Sequence, residues 1–138
     1  MFEKSILLYD PNMYQSEFCN VNYLPEINVV YVEWKKFCRD KDYREPLLHA
    51  IEIMSANENC HYVADTRNGF ENEEADTHWV FNEFIPLAVS AGCRYIFFII
   101  HPDNSLKEEL EGQSAELKNF FQVFACYSLE EIKQFLFN

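Results

Sequence analysis

Glycine is scarce in this sequence, with 3 residues in 138. That count nearly excludes a Gly-rich phosphate loop, and neither G-x-G-x-x-G nor G-x-x-x-x-G-K-[ST] occurs. Positive charge is scarce too. Eleven Lys+Arg stand against 23 Asp+Glu, a formal net charge of −12. Such a chain is a poor partner for nucleic acid or an anionic membrane, where cationic side chains supply the attraction. No long apolar run is present. The strongest, Tyr95-Ile96-Phe97-Phe98-Ile99-Ile100, is far shorter than the ~20 residues that span a bilayer. The start, Met1-Phe2-Glu3-Lys4-Ser5, lacks the basic-then-apolar pattern of a signal peptide. The expected setting is therefore cytoplasmic.

Metal and thiol chemistry find no spacing to support them. Cys19, Cys38, Cys60, Cys93 and Cys126 form no C-x-x-C, and His49, His61, His78 and His101 form no H-x-x-x-H or H-E-x-x-H. An odd number of scattered cysteines with no export signal reads as reduced, buried thiols. No cofactor and no metal are expected.

What is present is apolar and aromatic material: 49% hydrophobic, 17% aromatic, enough for one folded domain over 1–138. Cys19–Tyr23 alternates apolar and polar residues. Val29–Trp34 is β-branched and aromatic, and Leu24-Pro25-Glu26-Ile27-Asn28 between them is turn material. The two runs read as an antiparallel hairpin. Ser5–Tyr9 is a further short strand-like run, and residues 1–16 read as an extra edge strand or arm. Leu47, Leu48, Ile51 and Met54 have helical spacing. Asp42-x-x-Glu45 resembles a capping box ahead of them. Cys60–Asp65 is strand-like. A single long helix is expected from about Asn72 to Ala91, kinked by Pro86 and closed by Gly92. Arg94–Ile100 is a strand covered on both faces. Ser105-x-x-Glu108 opens a helix through Leu106, Leu110 and Leu117, Gln122–Cys126 is a strand, and Ser128-x-x-Glu131 opens a last helix.

Alternation of strand and helix forces parallel pairing with right-handed crossovers. The expected fold is α/β: one mixed, mostly parallel sheet of five or six strands, an antiparallel hairpin near its start, and about four helices.

Several segments, taken in order, resemble one family. They are Val29-Val30-Tyr31-Val32-Glu33-Trp34-Lys35-Lys36-Phe37, Tyr43-Arg44-Glu45, Val63-Ala64-Asp65-Thr66-Arg67-Asn68, Asp76-x-x-Trp79, Glu83-Phe84-Ile85-Pro86 and Ala91-Gly92. Together they are similar to the STAS-like superfamily of sulfate-transporter and anti-sigma-factor-antagonist domains, in its small stand-alone bacterial branch. The resemblance covers roughly residues 17–138. It implies a small α/β module that works by binding, not by catalysis, with a protein partner. In the best-known members a phosphorylated hydroxyl at the start of the second helix switches that partner. Here the corresponding stretch, Gly69-Phe70-Glu71-Asn72-Glu73-Glu74, has no hydroxyl, so the switch is not carried over.

Ligands of open α/β sheets gather beyond the carboxyl ends of the parallel strands. That edge supplies the candidate binding residues Lys35, Lys36, Asp65, Thr66, Arg67, Asn68 and His101. Lys35, Lys36, Arg39, Lys41 and Arg44 crowd ten positions, which suits a small anionic ligand. The competing reading is a solvated loop, since Glu33, Asp40, Asp42 and Glu45 are interleaved. Asp65 and Arg67 are either part of a polar site or a loop anchor. Glu71, Glu73, Glu74 and Asp76 read as acids complementing a helix dipole. Three functions follow as expectations. The first is a non-catalytic binding or regulatory module. The second is a carrier for a small molecule or lipid, given the abundance of Phe. The third is an enzyme using Asp65, Arg67 and His101 together. A short chain so rich in aromatics also favours a homodimer.

Overall fold

The computed structural model describes residues 10–103 and 115–137. The strand-like run Ser5–Tyr9 and the helix opening at Ser105 lie outside the described residues.

Six strands form one sheet in chain order: β1 (Met13–Gln15), β2 (Cys19–Leu24), β3 (Val29–Trp34), β4 (His61–Asp65), β5 (Tyr95–Ile99) and β6 (Gln122–Cys126). The pairings β1–β2 and β2–β3 are antiparallel, and β3 to β6 run parallel. Register in the β2–β3 hairpin runs from Cys19 opposite Trp34 to Leu24 opposite Val29. The turn ends on Asn28 at φ 53, a backbone region that Asn tolerates better than most side chains. Asn28 is also tied down through its amide: Oδ1 accepts the Tyr23 hydroxyl at 2.7 Å and Nδ2 donates to the Glu58 carbonyl at 2.9 Å.

Parallel neighbours in chain order, joined by right-handed crossovers, put their connections on one face of the sheet. Helix α1 (Lys41–Ala56) and the helical stretch 74–90 accordingly share one core with Val30, Val32, Tyr62, Ala64, Ile96 and Phe98. Leu117 and Phe121, from the β5–β6 connection, join it. The last helix, α4 (Leu129–Phe137), follows the last strand and is free of that constraint. It packs on the opposite face, where Ile132 is buried with Val29, Val63, Phe97 and Ile99. Successive residues of β3, β4 and β5 therefore feed two cores in alternation.

Two helix expectations need correction. The α1 boundary is set by Asp40, not by an Asp42 capping box. Asp40 has φ 52 and no side-chain cap, and its carbonyl accepts the Tyr43 and Arg44 amides at 3.1 and 2.8 Å. The stretch 74–90 is not one kinked α-helix. It is α2 (Glu74–Trp79), a π-helical segment (Val80–Phe84) and α3 (Ile85–Ser90). Pro86 has no N–H to return to the preceding turn. The chain widens just before it, the Ile85 N–H bonding the Val80 carbonyl, and the helix continues. Gly92 closes α3 as expected, at φ 94. Its N–H bonds the Val89 carbonyl and the Cys93 N–H the Ala88 carbonyl, the paired bonds of a Schellman motif. At α4 the Ser128 Oγ accepts the Glu131 amide at 3.3 Å, as its sequence spacing predicts. No helix among the described residues is long and apolar enough to cross a membrane.

Candidate functional site

A cavity of about 90 Å³ lies between the first face of the sheet and the helices over it. The strands contribute Trp34 from β3, Tyr62 and Ala64 from β4, and Ile96 and Phe98 from β5. Tyr43 and Leu47 come from α1, and Val80, Phe81 and Phe84 from the π-helical segment. Thr66, Gly69, Phe70 and Asn72 of the β4–α2 loop close one side. Among the described residues no Asp, Glu, Lys, Arg or His lines it.

Aromatic rings form its wall at the carboxyl end of β3. The Trp34 indole and Tyr43 ring are stacked at 4.8 Å, with Phe70 edge-on to Trp34 at 5.9 Å and to Phe37 at 5.3 Å. Each offset or edge-on pair contributes beyond area burial. Burial raises the Tyr43 phenol well above its ordinary pKa, so the hydroxyl is neutral and keeps its proton. Its oxygen accepts the Asn72 amide at 3.0 Å. Thr66 Oγ1 donates to the Ile99 carbonyl at 2.9 Å.

A buried carboxylate holds the wall together. Asp76 is fully buried. Its Oδ2 accepts the Asp40 amide at 3.1 Å and its Oδ1 the Arg44 Nε at 2.9 Å. The Arg44 guanidinium also sits 5.7 Å from the Trp79 ring centroid. This ties the start of α2 to the start of α1, and so holds the loop residue Asn72, just ahead of α2, beside Tyr43 of α1. Asp76 thus does more than complement a helix dipole.

Of the seven candidate residues at the strand ends, Thr66 alone lines this cavity. Asp65 and Arg67 lie on the other face. The Arg67 guanidinium grips Asp65 in a fork, Nη2 to Oδ2 at 2.7 Å and Nε to Oδ1 at 3.0 Å. The Arg67 amide adds a bond at 3.1 Å and the Tyr31 hydroxyl donates to the same carboxylate. Burial alone would raise the Asp65 pKa, but the Arg67 and Tyr31 hydrogen bonds outweigh it and hold the carboxyl below its ordinary value. Tyr31 moves upward, from burial and its bond to Asp65. This is the geometry of a loop anchor. His101 is exposed, and its Nδ1 accepts the Asp103 amide at 3.1 Å. Asn68 and Lys35 are exposed.

Four of the five cations in the basic run are answered by carboxylates. Lys36 pairs with Glu17 at 2.7 Å, Arg39 with Glu73 at 3.7 Å, Lys41 with Glu45 at 3.6 Å and Arg44 with Asp76 at 2.9 Å. The solvated-loop reading describes these residues better than a converging anion pocket does. Among the described residues no group of three or more His, Cys, Asp or Glu could hold a metal ion. All five cysteines are buried and free.

Sequence reasoning placed Trp34 at an element end but did not foresee that Tyr43, Phe70, Tyr62 and Phe84 would meet beneath it. The available signal was the helical offset that puts Tyr43 and Leu47 on one face of α1.

No protein-family model matches the chain, and no curated protein matches it. The class is defined by architecture alone: a six-stranded mixed α/β sheet with an aromatic cavity, uncharged among the described residues, beneath the carboxyl ends of its strands.

Proposed function

We propose that this chain is a non-catalytic, STAS-like binding module that takes a small, uncharged, mainly apolar ligand into the aromatic cavity. The observation that carries the reading is the lining: mostly rings and aliphatic side chains, with no charged group among the described residues. A buried carboxylate or ammonium on the ligand would find no counter-ion there, and its desolvation would oppose binding. The polar groups on its lining residues are few and neutral: those of Trp34, Tyr43, Tyr62, Thr66, Asn72 and Thr77. The Tyr43 oxygen is occupied by Asn72, and among the described residues no acceptor is paired with its proton. That O–H suits a carbonyl, ether or hydroxyl oxygen on the ligand. Few well-placed polar groups in an apolar cavity is the usual design of a small-molecule site.

The non-catalytic part of the reading rests on Asp65, Arg67 and His101. The first two are spent on each other on the opposite face, and the hydrogen bond His101 makes is to the Asp103 amide, not to either of them. A convergent acid–base site would need them around one cavity.

The test combines extraction with occlusion. Native mass spectrometry and solvent extraction of freshly purified protein should reveal a small neutral species. Ala64→Leu, which extends a lining side chain into the cavity, should abolish its retention with the fold intact by circular dichroism. Retention unchanged in Ala64→Leu, or a charged species as the bound ligand, overturns the proposal.

A further inference from the structure

Strand β6 is the last strand of the sheet, and among the described residues it pairs with β5 alone. Its inner bonds are clear at both ends: the Gln122 N–H donates to the Arg94 carbonyl and the Cys126 carbonyl accepts the Ile100 N–H, both at 2.9 Å. Alternate residues of a parallel ladder face the neighbour strand. Gln122, Phe124 and Cys126 therefore bond inward, and Val123 and Ala125 turn their N–H and C=O groups outward. Natural sheets protect such an edge with charge, proline, a bulge or a covering element. Gln122-Val123-Phe124-Ala125-Cys126 has no charge and no proline, and its register with β5 runs without a bulge. Exposed rings border it: Phe120 is 56% exposed, Tyr127 51% and Phe135 46%. Phe135 lies 4.8 Å from the Phe124 ring.

We propose that two copies of this chain join through β6, antiparallel about a two-fold axis at Phe124, making one continuous sheet from two. The register is self-complementary. Val123 of each copy stands opposite Ala125 of the other, and each such pair exchanges two main-chain hydrogen bonds. Phe124 meets Phe124 at the non-bonded position, where side chains approach most closely, with the Phe135 rings beside them. The seam itself carries no charge, and like charges elsewhere on the chain are screened beyond about 8 Å at physiological salt.

Sedimentation velocity over a concentration series tests this, with Ala125→Pro and Ala125→Lys as variants. Ala125 is exposed and its N–H faces outward, so neither change removes an inner ladder bond. The expected result is twice the 16.4 kDa chain mass for the parent, the single-chain mass for both variants, and unchanged far-ultraviolet circular dichroism. Hydrogen exchange on the parent should show Val123 and Ala125 amides protected at high concentration and losing that protection on dilution. Should a variant misfold, this exchange result decides alone. A monomer at the highest soluble concentration overturns the proposal, as does a dimer that survives both substitutions. Concentration-independent protection in a monomer overturns it too.

Discussion

The ring of Tyr43, in the first turn of α1, lies stacked on the indole of Trp34, the last residue of β3, at 4.8 Å and 16°. That contact makes the strand end and the helix start into one wall of the cavity. The Tyr43 hydroxyl, accepting from Asn72, fixes the loop that forms the adjoining wall.

Tyr43→Phe keeps the stack and removes the hydroxyl. Its stability cost should be about 0.5–1.5 kcal/mol, the usual worth of one hydrogen bond, read by chemical denaturation. The retained ligand should be lost or weakened well beyond that of a control such as Tyr127→Phe, an exposed tyrosine outside the cavity. Equal retention in the two variants would leave the Tyr43 proton without a part in binding.

The Asp65–Arg67 fork sets a pH dependence whose sign follows from the lowered Asp65 pKa. A carboxyl held below its unfolded value of about 3.9 contributes stability that is complete above that value. The contribution is lost as pH falls through the lower, folded value. Arg67→Ala should therefore destabilise at neutral pH, by about 1–2 kcal/mol given the half-exposed guanidinium. The gap from the parent should close in strong acid. Because Arg67 is already engaged, sulfate or phosphate should raise the Tm of parent and Arg67→Ala equally. A response confined to the parent would restore an anion site at this edge.

Arg44 and Asp76 are unequal partners: the carboxylate is fully buried and the guanidinium is about a third exposed. Arg44→Met removes the cation and strands the buried carboxylate with only the Asp40 amide, at a cost of about 3–5 kcal/mol. Asp76→Asn keeps an acceptor for the Asp40 amide and lets Arg44 turn to solvent, so it should cost less. Urea denaturation of the two variants, with matched m-values, measures the order. The reverse order would mean that packing of Arg44 on Trp79 matters little and that the Asp76 charge carries the contact.

The five thiols should be inert in the folded protein. Burial pushes Cys38 up to about 11 and Cys60 and Cys93 up to about 12, and acidic neighbours add to burial in raising Cys126 to about 11. Cys19 is raised further still, chiefly by burial. At pH 8 thiolate is scarce at every site. A disulfide-exchange reagent should label no cysteine rapidly without denaturant and all five with it. Rapid labelling of one site would identify a local opening at that element.

The sequence by itself determined the fold class, because the features that decide it are local. Alternation in Cys19–Tyr23, the apolar run after Arg94, Gly92 past the end of a helix and Ser128 three residues before Glu131 each act within a turn or a strand. The order of those elements then dictates parallel pairing. Only the tertiary structure decided what the side chains do. The Asp76–Arg44 pair spans 32 residues and the Tyr43–Asn72 bond spans 29. No periodicity encodes such partners. The basic run from Lys35 to Arg44 looked like a source of positive charge. Folding brought Glu17 from β1–β2, and Glu73 and Asp76 from beyond β4, to meet it. Asp65 and Ala64 are neighbours in the chain, yet the pleat sends them to opposite faces, one to an ion pair and the other to the cavity. The cavity exists because three strands and two helical stretches converge on one volume without filling it, and that depends on the packing of the whole core.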